Sequence, residues 1–211
     1  MSKPTDLPLN LDPDYGQSIE FLTSLKPNQT FTLIAIKEGV KTEARTFEPT
    51  ELDEIKSWIS TMNGNRYNIY FQVNEARDDV RNKKAKKSDI TAASLLHVDI
   101  DELGQDVLDK IVDFEPSPTA ILMSGGGYQA FWWLGTNSSD LQTIETLNKA
   151  IARDLSGDNC HNIDRIMRVP GTINWPSAKK RKAGREPVVA RLLPEHTDYS
   201  RRYGLSVFQK L

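Results

Sequence analysis

The run Leu95-Leu96-His97-Val98-Asp99-Ile100-Asp101 alternates so that, at the strand period of two, Leu96, Val98 and Ile100 fall on one face and His97, Asp99 and Asp101 on the other. The two carboxylates then point the same way, roughly 6.5 to 7 Å apart along the backbone. Side chains at that spacing can converge on one divalent cation or a close pair. Like charges at the end of a buried strand are costly unless something neutralises them, and Mg2+ or Mn2+ with oxygen ligands does so directly. For this segment alone a solvent-facing strand end is the competing reading, because Asp-x-Asp occurs often by chance.

Downstream of this strand, Gln105 to Val112 reads as a short helix and Thr119 to Met123 as a strand. Ser124-Gly125-Gly126-Gly127 turns the chain into an aromatic-rich strand from Tyr128 to Leu134, so the pair predicts a hairpin. Asp140 to Leu155 has helical spacing, with Ser138 or Ser139 as N-cap and Gly157 just past its end, and Val188 to Leu193 reads as a last strand. Upstream lies a charged loop over 74–90, preceded by a strand from Tyr67 to Val73. Before it come a helix with Ile19, Leu22 and Leu25 on one face, a strand Phe31 to Ile36, a turn at Glu38-Gly39, and an antiparallel partner Thr42 to Phe47. A helix bearing Leu52, Ile55, Trp58, Ile59 and Met62 follows, opened by a capping box of Thr50 and Asp53. Pro4, Pro8 and Pro13 mark an extended arm ahead of all this.

The order strand, helix, hairpin, helix from residue 90 onward predicts an α+β catalytic module with an antiparallel sheet and helices on one face, spanning about residues 66–195. A small αβ module over about 15–65 packs beside it, and the whole of 1–211 forms one unit without repeats or a long linker.

At 211 residues the chain can bury a substantial core, and 38% hydrophobic with 27% charged residues is ordinary for a soluble protein. No apolar run approaches the ~20 residues that cross a bilayer, which excludes a membrane span. Met1 to Pro8 offers no apolar stretch for secretion, and Cys160 is the single cysteine, so no internal disulfide is possible. The expected compartment is the cytoplasm. A net charge of −2 argues against gripping nucleic acid by overall charge, but its distribution is uneven. Arg165 to Arg202 holds ten Lys or Arg against three acids, leaving the rest of the chain at −9. A second basic cluster, Arg81 to Lys87, precedes the acidic strand. Each cluster alone also fits a solvated loop.

Two further constellations carry chemistry. In Ser124-Gly125-Gly126-Gly127-Tyr128-Gln129 the glycines can present backbone N–H groups to phosphate oxygens, with Ser124 and Gln129 as side-chain donors; a plain flexible turn fits equally. No Gly-Lys-Ser/Thr follows, so this is not a Walker A loop. In Asn162-Ile163-Asp164-Arg165-Ile166-Met167-Arg168-Val169-Pro170-Gly171-Thr172-Ile173-Asn174 an acid neighbours Arg165 and Arg168, a set suited to holding a metal and a polyphosphate together. Taken alone, a salt bridge between Asp164 and one arginine explains it more simply.

Together, Asp-x-Asp on a strand, the Ser-x-x strand motif, and hydrophobic-Asp followed by Arg-x-Pro-Gly-Thr-x-Asn resemble the archaeo-eukaryotic primase superfamily. They look most like the primase-polymerase domains of phages, plasmids and related mobile elements. The likeness runs from about Tyr67 to Arg185. It implies an RNA-recognition-like catalytic module beside the small αβ module, and template-directed nucleotidyl transfer, as a DNA primase or polymerase, on single-stranded DNA with two Mg2+ or Mn2+ ions. Asp99, Asp101 and Asp164 would bind the metals; Asp158 is the alternative to Asp164. Ser124, Gly125, Gly126, Gly127, Gln129, Arg165 and Arg168 would hold the nucleoside triphosphate. Lys83, Lys84, Lys86, Lys87, Lys179, Lys180, Arg181 and Lys182 would track template phosphates, and Tyr128, Phe131, Trp132 and Trp133 are candidates to stack on bases, about half of them belonging to the core by alternation. A replicative helicase is the implied partner, in a prokaryotic or phage-infected cell. One position departs from the superfamily: its second motif ends in His, where this chain has Gln129, which can donate to a phosphate but cannot shuttle a proton. The rival readings are a two-metal nuclease and a non-catalytic module that binds single-stranded DNA or a replication origin.

Overall fold

The computed structural model describes residues 11–211. Pro4 and Pro8 of the expected arm lie outside the described residues, and Pro13 sits in an irregular lead-in to the first helix. The first half of the chain contains α1 (Tyr15–Leu25), β1 (Phe31–Ile36), β2 (Glu43–Phe47), α2 (Leu52–Gly64), β3 (Asn68–Gln72), β4 (Glu75–Ala76) and β5 (Ile90–Ile100). It continues with α3 (Gln105–Val112), β6 (Ala120–Met123), β7 (Tyr128–Ser138) and α4 (Leu141–Asp154). The last stretch holds β8 (Ile166–Arg168), β9 (Ile173–Asn174), α5 (Ala178–Lys182), β10 (Val188–Val189) and β11 (Arg191–Leu192). No helix among the described residues is long and apolar enough to cross a membrane.

The α+β class with antiparallel sheets is present as expected. A four-stranded sheet runs β2-β1-β3-β8, a five-stranded sheet runs β11-β6-β7-β5-β4, and β9 pairs with β10. The four-stranded sheet takes β3 and β8 from beyond residue 65, so the chain passes through both sheets more than once. β7 shows how the sequence builds the core. Its odd positions Phe131 and Trp133 join Leu95, Phe71 and Phe21 of α1 in one cluster. Its even positions Ala130, Trp132 and Leu134 join Val98, Ile100, Ile111 of α3, and Ile144 and Ile151 of α4 in another. Phe21 sits at the junction, with its ring edge-on to Phe71 at 5.3 Å and to Phe131 at 5.6 Å.

A strand buried on both faces has no side chain left for a ligand. Phe131, Trp132 and Trp133 are fully buried and Tyr128 nearly so, which removes all four from the base-stacking candidates. Several local details also differ from the sequence reading. The Thr50–Asp53 capping box does not form; Glu51 is the N-cap of α2, and its carboxylate instead accepts from the Glu48 N–H. Asp140 caps α4, in place of Ser138 or Ser139, by accepting from the Thr143 N–H at 3.1 Å. The charged loop 74–90 contributes β4, which extends the pairing of a longer β5. The last strand breaks at Ala190, whose N–H and carbonyl bond to Thr172 and Gly171 around the Pro170-Gly171 turn.

Candidate functional site

Antiparallel register sets Gln129 of β7 opposite Asp99 of β5. Gln129 Nε2 donates to Asp99 Oδ1 at 3.2 Å, and its Oε1 accepts the Arg168 backbone N–H at 3.1 Å. Arg165 approaches the other oxygen, Nη2 to Oδ2 at 3.5 Å. The Asp99 side chain is 18% exposed. Burial is the main cause that pushes its carboxyl above the ordinary value; the Gln129 and Arg165 contacts pull it down, and the charges of Asp101 and Asp158 push it up again.

Gly157 brings the third acid in. A Cβ there would overlap Val98 Cγ2 and crowd the Asp99 carbonyl, so only glycine lets this loop lie on β5. The Asp158 N–H then donates to the Asp99 carbonyl at 2.7 Å. Ligand atoms of Asp99, Asp158 and Cys160 lie within 4.8 Å of one another, the one such group among the described residues. Asp101 follows directly after β5 and is exposed. Asp164 is outside the group; its Oδ1 accepts from Asn162 Nδ2 at 2.6 Å. Of the two acids weighed for the third position, Asp158 is therefore the one beside Asp99. The salt bridge considered for Asp164 is also not formed, since Arg165 faces Asp99 and Arg168 bonds to Asn68 and Tyr70. Carboxylate oxygens gathered at a partly buried point, with one of them held above its ordinary pKa, suit a hard divalent cation. Cys160 adds a soft sulfur that such an ion does not need.

The glycine turn packs against the end of β5. Ser124 closes it by donating from N and Oγ to the Gly127 carbonyl at 2.8 and 3.1 Å, so its hydroxyl is engaged within the turn. Gly125 has φ +87°, a left-handed conformation. A Cβ on Gly126 would overlap the Arg185 guanidinium, and one on Gly127 would overlap the Ile100 carbonyl oxygen. Asp101, Glu102, Gly125, Gly126 and Arg185 thus border a common cleft of about 590 Å3. Arg185 escaped the motif reading. Its single trace in the sequence is the basic run, and nothing there ties it to Gly126. Arg168 is 7% exposed, with its guanidinium donating to Asn68 Oδ1 at 3.0 Å and Tyr70 Oη at 3.1 Å.

The basic candidates are all exposed. Lys83, Lys84 and Lys86 face solvent, while Lys87 pairs with Glu145 at 2.7 Å. Lys179, Lys180, Arg181 and Lys182 form the short α5, capped by Ser177. Both clusters are placed as a solvated loop and a phosphate path alike require.

His97 lies beneath the site, 1% exposed, with Nε2 donating to the Cys160 carbonyl at 2.9 Å. Burial lowers its pKa to about 4, against an ordinary 6.5. The unfolded chain therefore binds a proton that the fold refuses. The stability His97 permits is complete above pH 6.5 and falls by about 3 kcal/mol as the pH drops towards 4. Thermal midpoints measured across that range should show this slope, and His97→Gln should flatten it.

No curated protein matches the chain at a significant level. Solved structures do. The primase-polymerase domain of cyanophage S-2L, described as an AEP domain, superposes with a TM-score of 0.67 at 18% identity, covering 94% of this chain and 98% of that one. The primase RepB' gives a TM-score of 0.66 at 14% identity, covering 93% of this chain and 62% of that one. Its catalytic domain in complex with initiator DNA gives 0.65 at 14%, with 93% and 92% covered. At these identities the likeness establishes the fold. The family described as the RepB DNA-primase N-terminal domain matches residues 39–208, from the turn before β2 to the C-terminal segment and through every element of the site, and this chain is one of its members.

Proposed function

We propose that the chain makes or extends primers by template-directed nucleotidyl transfer on single-stranded DNA, with divalent ions bound by Asp99, Asp101 and Asp158. The observation that carries this reading is the meeting of ligand atoms of Asp99 and Asp158 within 4.8 Å, beside a glycine turn packed on the backbone that flanks Asp101. Bound Mg2+ or Mn2+ would supply the charge that lowers the pKa of the attacking 3′-hydroxyl and balances the leaving pyrophosphate. Asp99 is oriented for this by Gln129 and Arg165, which fix one oxygen each. In place of the superfamily's His, Gln129 ties Asp99 to the Arg168 backbone; it positions and does not move a proton. Asp164, expected as a ligand from the sequence, instead orients Asn162 in the turn that carries Arg165.

Arg185 and the N–H groups of Gly125 and Gly126 are the groups to receive the triphosphate, a role that demands fixed positive charge and no protein nucleophile. Arg185→Ala should raise the KM for nucleoside triphosphates by about tenfold or more with a smaller change in kcat, since a buried charge-assisted contact contributes about 1.5–3 kcal/mol. An unchanged KM would remove Arg185 from the cradle. The fold relative bound to initiator DNA supports binding of DNA here. The exposed lysines of 83–87 and of α5 are the groups to neutralise its phosphates, and a replicative helicase is the partner that would expose it. The deciding experiment incubates the protein with Mg2+ or Mn2+, labelled single strands and nucleoside triphosphates. Products longer than the input support the reading. Cleavage that ignores triphosphates would favour a nuclease, and tight binding without any product a non-catalytic module.

A further inference from the structure

A second polar site lies on the four-stranded sheet, away from the carboxylates. Gln72, the last residue of β3, and Asn74, in the bend that follows, both line a cavity of about 360 Å3. Lys26, just past α1, and Thr32 and Thr46 of β1 and β2 form part of its wall, and Glu75, Arg77, Asp78 and Arg81 bring charges of both signs to it. Gln72 is 5% exposed, Asn74 1% and Lys26 6%. Neither Oε1 nor Nε2 of Gln72 has a hydrogen-bond partner, and neither has Oδ1 of Asn74; Asn74 Nδ2 donates to the Ile163 carbonyl at 2.9 Å. Burial also draws the Lys26 pKa down to about 8, with Glu75 opposing. Buried polar groups are almost always satisfied. Three unpartnered atoms on two side chains that line one cavity mark a place where a small shift of the amides would meet a ligand.

The unmet groups specify that ligand. Gln72 needs a donor and an acceptor side by side and Asn74 needs a further donor, with Lys26 lining the same cavity. An inorganic anion would satisfy Lys26 and Gln72 Nε2 but would set its negative charge against Gln72 Oε1 and Asn74 Oδ1. The hydrogen-bonding edge of a nucleobase places amino or imino N–H groups next to a ring nitrogen or carbonyl, which is the pattern a glutamine amide reads. The strand that bears the cavity is tied to the proposed active site by hydrogen bonds. Tyr70, on the same face as Gln72 and roughly 7 Å along the strand, holds Arg168, and Arg168 is joined through Gln129 to Asp99.

We propose that the Gln72–Asn74–Lys26 cavity binds a nucleobase, supplied by the template strand or by a free nucleotide. The assignment builds on the reading of the chain as a template-copying enzyme, but its test needs neither metal nor turnover. The four nucleoside 5′-monophosphates and, as a base-free control, ribose 5-phosphate are added to the metal-free full chain, while the side-chain amide NMR signals of Gln72 and Asn74 are followed. At least one monophosphate should shift them and ribose 5-phosphate should not. Gln72→Leu removes both unpartnered atoms at similar volume, so its thermal midpoint should match or exceed the parent's, while its affinity for the monophosphate falls by about tenfold or more. A second pair of titrations uses a single-stranded oligonucleotide and an abasic one of equal length. If Gln72→Leu weakens only the base-containing strand, the template is the source; if only the monophosphates respond, a free nucleotide is. Amide signals that stay still with every monophosphate and with the oligonucleotide would overturn the proposal and leave the cavity to water. Absence of primer synthesis alongside shifted amides would count against the catalytic reading alone.

Discussion

Asp99→Asn should lower primer synthesis by at least about a thousandfold, because the ion it anchors contributes several kcal/mol to the transition state and about 1.4 kcal/mol is worth a factor of ten. The substitution keeps the size of the side chain but leaves one acceptor oxygen for the two donors Gln129 and Arg165. It also removes a charge whose burial opposes ionisation, which offsets part of the lost Gln129 and Arg165 contacts, so any fall in the thermal midpoint should be small beside the loss of activity. Template binding should persist, since the exposed lysines that would carry it are untouched. Asp158→Asn should match Asp99→Asn in activity, whereas Asp164→Asn, which alters a hydrogen bond to Asn162, should stay within about tenfold of the parent. Mn2+ binding followed by electron paramagnetic resonance gives a readout separate from turnover: affinity should drop in the first two variants and hold in the third. If Asp164→Asn abolishes Mn2+ binding while Asp158→Asn retains it, the ligand set drawn from the geometry is wrong.

Gly127→Ala should cost about 3 kcal/mol or more, for a reason independent of catalysis. Its Cβ would occupy the position of the Ile100 carbonyl oxygen and also press on the Glu102 N–H. Both are backbone atoms at the end of β5, so relief requires parting β5 from the hairpin. For a domain of this size the thermal midpoint should fall by about 6–12 °C. Gly126→Ala meets only the end of the flexible Arg185 side chain and should leave the midpoint nearly unchanged while weakening triphosphate binding. Gly64→Ala, with nothing near its Cβ, serves as the neutral control, within about 0.5 kcal/mol of the parent. Equal midpoints for Gly127→Ala and Gly64→Ala would refute the account of the turn.

Most elements could be read directly from residue order. α3, β1 and the β6–β7 hairpin follow from spacing alone, because the periods of 3.6 and 2 leave a clear mark where one face is apolar. The reading fails where both faces are buried. In β7 the aromatics look available, yet one set packs on α1 and the four-stranded sheet and the other on α3 and α4. Periodicity counts apolar positions and does not say how many layers will cover them. The caps of α2 and α4 differ from the spacing-based expectation for a related reason: several residues nearby could cap, and the approach angle of the chain selects among them.

In the site, Asp99, Asp101 and the glycine turn are legible because neighbours along a strand stay neighbours in space. Whether Asp158 or Asp164 completes the group depends on how the loop after α4 crosses β5. That crossing is settled by the contact of Gly157 with Val98, between residues far apart in the chain. Arg185 over Gly126, and the unpartnered atoms of Gln72 and Asn74, likewise arise only when segments far apart in the chain are brought together. Local order along the chain therefore specifies the strands, the acidic edge and the family motifs, since these depend on side-chain alternation. The partners of each charged group depend on long-range packing, in which burial free energy chooses among contacts that are locally equivalent.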